Sequence, residues 1–318
     1  MGMTAALPDT YSVRPPAKDD ADAVFALVAE YNTSVVGFAD YTLDDAVDEL
    51  TEPGFEPETD GWLVFDGDRL VGYGSVFGTG DRHVIDMDAV TPDPVVEAYL
   101  LEQITRRARE IGAAYGQQAV KLDTGVYRAD TGRHARLSAA GYEVGTTFHR
   151  MRIDHNGPVP EPELPPRVTI RRGTPDEQSQ RTANEVLNTA FIGQFGFTEL
   201  LFDQWQAAHD AQSTFDWSGM TVLELDGKAV AMREYTEAFV EDENCGYIAR
   251  LAVLEEARGL GLAKFLLRDQ FALDAAAGRT GTLLHVDTNN PTPALGLYLS
   301  VGMTESMVID AMRRTVEV

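Results

Sequence analysis

The order of recognisable segments in this chain runs through once and then begins again, and that duplication limits the fold more than any single motif does. Each half opens on a short β-pattern leading into a helical one: Tyr11–Arg14 before Asp19–Tyr31, and Val168–Arg171 before Asp176–Phe191. Two alternating apolar runs follow, around Asp66-Gly67 in the first half and Asp226-Gly227 in the second. Asp-Gly between such runs predicts a hairpin, because glycine accepts the positive φ of the tight turns that match strand twist. A further strand, a long helix, a strand and a short helix ending at glycine complete both halves. KLDTGVYRADTGRHARLSAAGYE in the first stands where HVDTNNPTPALGLYLSVGMTE stands in the second. A period of about 155 residues exceeds that of solenoid repeats, roughly 20–50 residues, and predicts two domains of one design. The predicted fold class is α+β, a mixed, mostly antiparallel sheet flanked by helices, present twice.

Between the halves, residues 154–166 (DHNGPVPEPELPP) carry five prolines and few apolar side chains. Proline fixes φ and withholds a donor, so the stretch reads as a stiff linker between domains at 1–153 and 167–318. Hydrophobic residues at 44% and charged residues at 24% are the balance of a globular protein. The 51 acidic against 26 basic residues repel phosphate backbones, which argues against nucleic acid as a partner and suits a cationic small molecule such as an amine. No apolar run approaches the roughly 20 residues of a membrane span, and the start MGMTAALPDTYSVRPP lacks the pattern of a signal peptide. The single cysteine, Cys245, forms no internal disulfide. A cytoplasmic protein, monomer or homodimer, is expected. Six scattered histidines show no metal-ligand spacing, so no metal is predicted.

The strongest local signal is Gly246–Leu267, GYIARLAVLEEARGLGLAKFLL. Its first part alternates as a buried strand and ends in Arg258-Gly259-Leu260-Gly261-Leu262-Ala263, directly before a helical pattern with Phe265, Leu266 and Phe271. Glycines at a strand-to-helix turn let a ligand approach the backbone, and the free N–H groups of the first helical turn suit an anion, above all a pyrophosphate. Neither the G-x-x-x-x-G-K-[ST] loop nor G-x-G-x-x-G occurs at this strand. Downstream, Thr282–Val286 reads as a strand, Thr292-Pro293 as a helix start, and Ala294, Leu297 and Tyr298 as a short helix stopping at Gly302.

Arg258-x-x-Gly261-x-Ala263 resembles the acyl-CoA loop, Q/R-x-x-G-x-G/A, of the GNAT acetyltransferase superfamily. Asn290, Ala294, Leu297-Tyr298 and Gly302-Met303 resemble its second signature, in the expected order and about thirty residues on, with one extra residue between Asn290 and Tyr298. The two-half plan is similar to that of the tandem, mycothiol-synthase-like members of the superfamily. The resemblance implies acetyl-CoA as co-substrate and direct attack of a small-molecule amine on the thioester. It implies that Leu251, Ala252 and Val253 pair with pantetheine, that Arg258, Gly259, Leu260, Gly261, Leu262 and Ala263, with Asn290, hold the cofactor, and that Tyr298 protonates the leaving thiolate.

For the general base the resemblance points six residues before Val253, where relatives carry Glu and this chain has Tyr247. A tyrosine is no base at neutral pH; Glu234 and His285 are equal candidates, with Glu237 also on the strand before, and ordered water alone is the further alternative. In the N-terminal half, Pro92, Asp93 and Pro94 replace the loop glycines, so that half is expected to share the fold without catalysing. The aromatic run Phe191, Phe195, Phe197, Phe202 and Trp205 lines the acceptor pocket or packs in the core. An N-acetyltransferase acting on an antibiotic, an aminoglycoside-like compound or another secondary-metabolite amine is expected. The alternative is a non-catalytic acyl-CoA-binding sensor, which the missing strand Glu favours and Tyr298 opposes.

Overall fold

The computed structural model describes residues 7–78, 80–194, 197–289 and 294–318. The chain divides into two compact units, one formed by Met1–Thr147 with Ile309–Val318, the other by Phe148–Val308. Both have the α+β layout, a mostly antiparallel sheet with one parallel pair.

Unit 1 begins with β1 (Tyr11–Arg14), α1 (Ala21–Val36), α2 (Leu43–Thr51) and α3 (Pro57–Asp60). The meander β2 (Gly61–Asp66), β3 (Arg69–Gly78) and β4 (Val84–Val90) follows, then α4 (Pro94–Ala114), β5 (Ala119–Tyr127) and α5 (Thr131–Ala139). Its sheet order is β1-β2-β3-β4-β5, closed by the C-terminal part of β12 (Thr304–Glu317), whose Ile309–Glu317 run antiparallel to β5. Helix α4 forms because Val96, Leu100, Ile104, Ala108 and Gly112 recur every fourth residue, and this buried stripe packs on the sheet with Val64, Val76, Ile85 and Leu122. The first hairpin turns at Gly67-Asp68, one residue later than the Asp-Gly pair, because Asp66 still pairs with Arg69.

Unit 2 starts with the second part of β6 (Glu143–Asp154) and continues after residues 155–167, which form no helix or strand, with β7 (Val168–Arg172), α6 (Glu177–Phe191) and α7 (Phe202–Ala211). Next come β8 (Thr221–Leu225), β9 (Lys228–Thr236), α8 (Val240–Glu243), β10 (Cys245–Val253), α9 (Leu262–Ala276), β11 (Gly281–Asp287) and α10 (Ala294–Ser300). The sheet order is β6-β11-β10-β9-β8-β7. Asp226 and Gly227 both have positive φ, 50° and 81°, so here the Asp-Gly pair forms the two-residue turn itself.

Much of the aromatic run after α6 is core. Phe202 and Trp205 on α7 are buried beside Met220, Val222 and Met232, with Phe191 packed against them, while Phe197 lies against Phe191 at 5.6 Å between rings. Phe195 lies outside the described residues. On the other face, α9 buries Leu262, Phe265, Leu266, Leu267 and Phe271, each contributing about 1.5–3 kcal/mol at most. Among the described residues no helix is long and apolar enough to cross a membrane, and no group of three or more His, Cys, Asp or Glu is placed to hold a metal ion.

Candidate active site

The site is built where two parallel strands part. Cys245, Gly246 and Tyr247 of β10 pair with Gly281, Thr282 and Leu283 of β11, and among the described residues the parallel pairing stops there. Beyond it β10 follows β9, with Leu251 opposite Arg233, Ala252 opposite Met232 and Val253 opposite Ala231, while β11 follows β6 as far as Asp287. A register shift between Ile248 and Arg250 marks the departure of β10 from β11. One edge of Leu251–Val253 is therefore joined to β9, and the edge toward β11 is the one an extended ligand can reach.

After Val253 the chain makes one 3-10 turn, Glu255–Ala257, and enters the glycine loop. Gly259 and Gly261 have φ of 79° and 80°, a region a side chain adopts only with strain, and a Cβ at either would meet nothing within 4 Å. The glycines thus serve backbone conformation and leave open space beside the loop. Arg258 is tied back by its Nε, which donates to the Val253 carbonyl at 3.3 Å, and Leu260 points outward, 52% exposed. Helix α9 starts at Leu262 with no side chain capping its first turn. Its leading N–H groups, those of Leu262, Ala263 and Lys264, and the positive end of its dipole are available to an anion. The equivalent helix of unit 1 is closed to one: Asp93 caps α4, its Oδ1 accepting from the Val95 N–H at 2.8 Å.

Tyr298, on α10, is 8% exposed and packs with Ile248, Leu284, Val286, Phe271 and Leu251, at the parting of β10 and β11. Burial, with a smaller contribution from Tyr247, pushes its phenol up to about 12, so it keeps its proton at neutral pH. Tyr247 Oη lies 2.9 Å from His285 Nδ1. His285 is the direct cross-strand partner of Arg150, a β6 residue only 2% exposed whose guanidinium sits 4.4 Å over the Phe239 ring and is ion-paired with Glu243. Burial and then the Arg150 charge bring His285 down to about 4, leaving it neutral over the physiological range. Phe239 also stands edge-on to Tyr247 at 5.0 Å.

Glu234 occupies a different neighbourhood. It is 5% exposed, opposite Arg250 in the β9–β10 register, with Oε2 3.4 Å from His209 Nε2 on α7. Burial opposes its charge, but His209 and Arg250 hold the carboxyl below the ordinary range, so it is ionised. His209 is boxed by Trp205, Phe215 and Trp217, and the Trp205 carbonyl accepts from its Nδ1 at 2.7 Å. Glu237 is exposed and paired with Arg279 at 2.7 Å. Asn290 lies outside the described residues, as do Pro291, Thr292 and Pro293.

The structure thus gathers Tyr298, Tyr247 and His285 at one strand junction, sets Glu234 beside His209, and carries the Arg258–Ala263 loop between β10 and α9. Arg150, Phe239 and His209 were not legible as site residues. Arg150 is separated from His285 by 135 residues of sequence and joined to it only by the β6–β11 pairing.

Parted strands, an uncapped helix behind a glycine loop and a tyrosine buried at the junction define a class, and similarity to known proteins names it. Residues 186–303 match the model of the acetyltransferase (GNAT) family, and the chain belongs to that family, whose members are acyltransferases that use acyl-CoA. Within it, the chain is 32% identical over 235 residues to a mycothiol acetyltransferase of Streptomyces griseus, covering 70% of this chain and 73% of the relative. A mycothiol acetyltransferase of Frankia casuarinae is 27% identical over 282 residues, 81% of this chain and 73% of the relative. Among solved structures, a GCN5-related N-acetyltransferase from Sphaerobacter thermophilus shares the fold over 98% of both chains, at a TM-score of 0.81 and 20% identity. A tandem GNAT protein from the clavulanic acid biosynthesis pathway does so over 97% of this chain and 99% of its own, at 0.70 and 16%.

Proposed function

We propose that unit 2 transfers an acetyl group from acetyl-CoA to the amine of a small molecule, of the kind the mycothiol acetyltransferases take, by direct attack without a covalent enzyme intermediate. The observation that carries the reading is the junction itself: β10 offers a free edge at Leu251–Val253, and the same strand leads into a glycine loop whose helix has an uncapped N-terminus. Arg258, Gly259, Leu260, Gly261, Leu262 and Ala263 fit a pyrophosphate there, and the Leu251, Ala252 and Val253 backbone fits the pantetheine amides. Asn290 is assigned to the same cofactor by its place in the second signature. Acetyl-CoA supplies the activated acyl thioester.

In the proposed reaction the amine nitrogen forms the bond to the acetyl carbon as the carbon–sulfur bond breaks. The Tyr298 phenol, protonated at neutral pH because it is buried, gives its proton to the departing sulfur, and water in the site restores it. The acceptor must lose a proton as well. Neutral His285, coupled at 2.9 Å to Tyr247, the residue whose hydroxyl acts on Tyr298, is the base this geometry favours. Glu234, ionised and engaged with His209, supplies negative field toward a cationic acceptor. An imidazole that protonates near 4 is a weak base, so its task is to receive the proton late, from an amine whose acidity rises as the new bond forms.

The test is thiol release from acetyl-CoA over a panel of amines, aminoglycosides and amino-pseudo-disaccharides included, with binding of acetyl-CoA measured separately. Gly261→Asp is expected to abolish binding, and Tyr298→Phe to keep binding while lowering turnover by about 10²–10³-fold. A pH–rate profile for His285→Ala indistinguishable from wild type would remove His285 from the role. Wild type that binds acetyl-CoA and releases no thiol with any amine would favour the sensor instead.

A further inference from the structure

Unit 1, which has an acid-capped helix where the phosphate loop would be, contains a cavity of about 200 Å³ among its described residues. Its walls include Tyr41, Glu49, Tyr73, Asp88, Tyr127 and Arg133, drawn from α2, β3, β4, β5, α5 and the segment before α2. Two carboxylates, Glu49 and Asp88, face this space, and of the two it is Asp88 on which the Arg133 charge acts. Tyr41 and Tyr73 donate to the same oxygen of Glu49, Oε2, at 2.9 and 3.5 Å, which leaves Oε1 without a hydrogen-bond partner among the described residues. Neither Glu49 nor Asp88 is ion-paired among those residues. Glu49 is exposed to solvent through the mouth of the cavity. The protein packed around its carboxyl, and then repulsion from Asp88, push it up to about 8.

A third group points the same way. Arg133 is 6% exposed, and its Nε is buried without a hydrogen-bond partner among the described residues, 3.8 Å from Glu97 Oε1. One guanidinium Nη2 makes a long contact of 3.4 Å to Thr124 Oγ1. Glu97 Oε1 is likewise unpartnered, so this is a stretched ion pair, and the guanidinium, which also lines the cavity, keeps donor capacity for a further acceptor.

We propose that this cavity binds a small amine that also carries a hydroxyl or carboxylate acceptor, its ammonium between Glu49 and Asp88 and its oxygen toward Arg133. An ammonium between them favours the ionised form of both carboxyls, so Glu49 gives up its proton as the cation binds. Three tyrosine rings in the walls suit a cation both by their faces and by their hydroxyls. The volume, at roughly 30 Å³ per water-sized group, has room for about six such groups, the size of an amino alcohol or a small amino acid. The acid-capped α4 removes the phosphate site and leaves this cavity intact, so unit 1 is a binding unit for the amine class and needs no acyl donor.

Isothermal titration of the full-length protein with ethanolammonium chloride tests the proposal, with n-propylammonium chloride, of similar size and without the hydroxyl, as comparison. Saturable binding of ethanolammonium at about 1 mM is expected, with n-propylammonium at least about fivefold weaker. Glu49→Gln and Asp88→Asn, each checked for an unchanged far-UV circular dichroism spectrum, should each weaken ethanolammonium by about tenfold or more, a loss of about 1.4 kcal/mol. Gly261→Asp in unit 2 should leave it unchanged. Absence of saturable binding to wild type, binding that survives both carboxylate variants, or binding lost in Gly261→Asp would each overturn the site. Equal affinity for the two ions would overturn the part given to Arg133. Acetyl transfer by unit 2 is read by thiol release and stands or falls separately.

Discussion

Tyr247 Oη and His285 Nδ1 meet at 2.9 Å at the point where β10 and β11 cease to pair, and the imidazole in that contact is held neutral by burial and by Arg150 directly across the sheet. The same arrangement makes His285 a determinant of acid stability. Unfolded, its imidazole takes a proton near 6.5; folded, near 4. Between those values the unfolded chain binds more protons, so stability rises with pH. The contribution is complete above about 6.5 and lost as pH falls toward 4, about 3 kcal/mol in all and about 2 kcal/mol of it by pH 5. Urea unfolding at pH 7 and pH 5 measures this, and His285→Asn should show a shallower dependence by close to one proton.

Arg233 depends on Asp269 for its place in the interior. Its Nη1 reaches Asp269 Oδ2 at 2.9 Å and the Leu266 carbonyl at 2.8 Å, while Arg172 holds the other face of the same carboxylate. Asp269→Leu strands a guanidinium 1% exposed, and a loss of about 3–5 kcal/mol is expected. The double variant Arg233→Met, Asp269→Leu should recover most of it, because the charge is then gone with its partner. Chemical denaturation of the single and double variants measures the coupling, and equal losses in both would refute the pairing argument.

Gly246 is required for a different reason, close approach. A Cβ there would collide with the Asp274 carboxylate, which is 1% exposed and accepts from Thr282 Oγ1 and from Gln270 Nε2, the latter at 2.8 Å. Thr282 is also the β11 partner of Gly246, so the methyl would displace the carboxylate through which α9 is tied to this strand pair. Gly246→Ala is expected to cost about 2–4 kcal/mol, from overpacking and the loss of those bonds. Adding Asp274→Ala makes room for the methyl, and a double variant less destabilised than the sum of the two singles would identify the collision as the cause.

The elements were legible where local chemistry decides them. The Asp226-Gly227 turn, the apolar stripe of α9 and the strand before the glycine loop all lie in segments whose period and turn residues agree. Helix α7 was harder: Phe202 and Trp205 are three apart on its buried face, but the aromatic run leading into it has no single period. Which strand completes which sheet was beyond reach, because nothing in the pattern of Ile309–Glu317 selects its neighbour, and its pairing with β5 is fixed by contacts between residues far apart in sequence, Ile309 with Tyr127 through Glu317 with Ala119. The site divides in the same way. The loop and Tyr298 stand in contiguous motifs, whereas Arg150 reaches His285 only through a completed sheet, and Glu234 meets His209 only once α7 packs on β9.

Helices α9 and α4, at equivalent places in the two units, offer a paired test of how the N-terminus is used. In α9 the turn before the first residue is Gly261 at φ 80°, with no side-chain cap; in α4 it is Asp93, whose carboxylate accepts from Val95. Alanine at position 261 has space for its methyl, so the penalty is conformational alone, about 1–2 kcal/mol for a left-handed residue. If the loop relaxes to relieve it, the N–H groups of Leu262–Lys264 turn away from a bound pyrophosphate. Weakening of CoA binding by about tenfold per 1.4 kcal/mol follows. Asp93→Ala removes a cap instead, costing about 1 kcal/mol of stability, and should leave CoA binding unchanged because the site proposed for that ligand is in unit 2. Titration of CoA into both variants, beside their unfolding curves, separates the effects. Gly261→Ala is expected to lose affinity out of proportion to stability, and Asp93→Ala the reverse; a CoA affinity lowered equally by both would mean that the glycine loop is not where the phosphates bind.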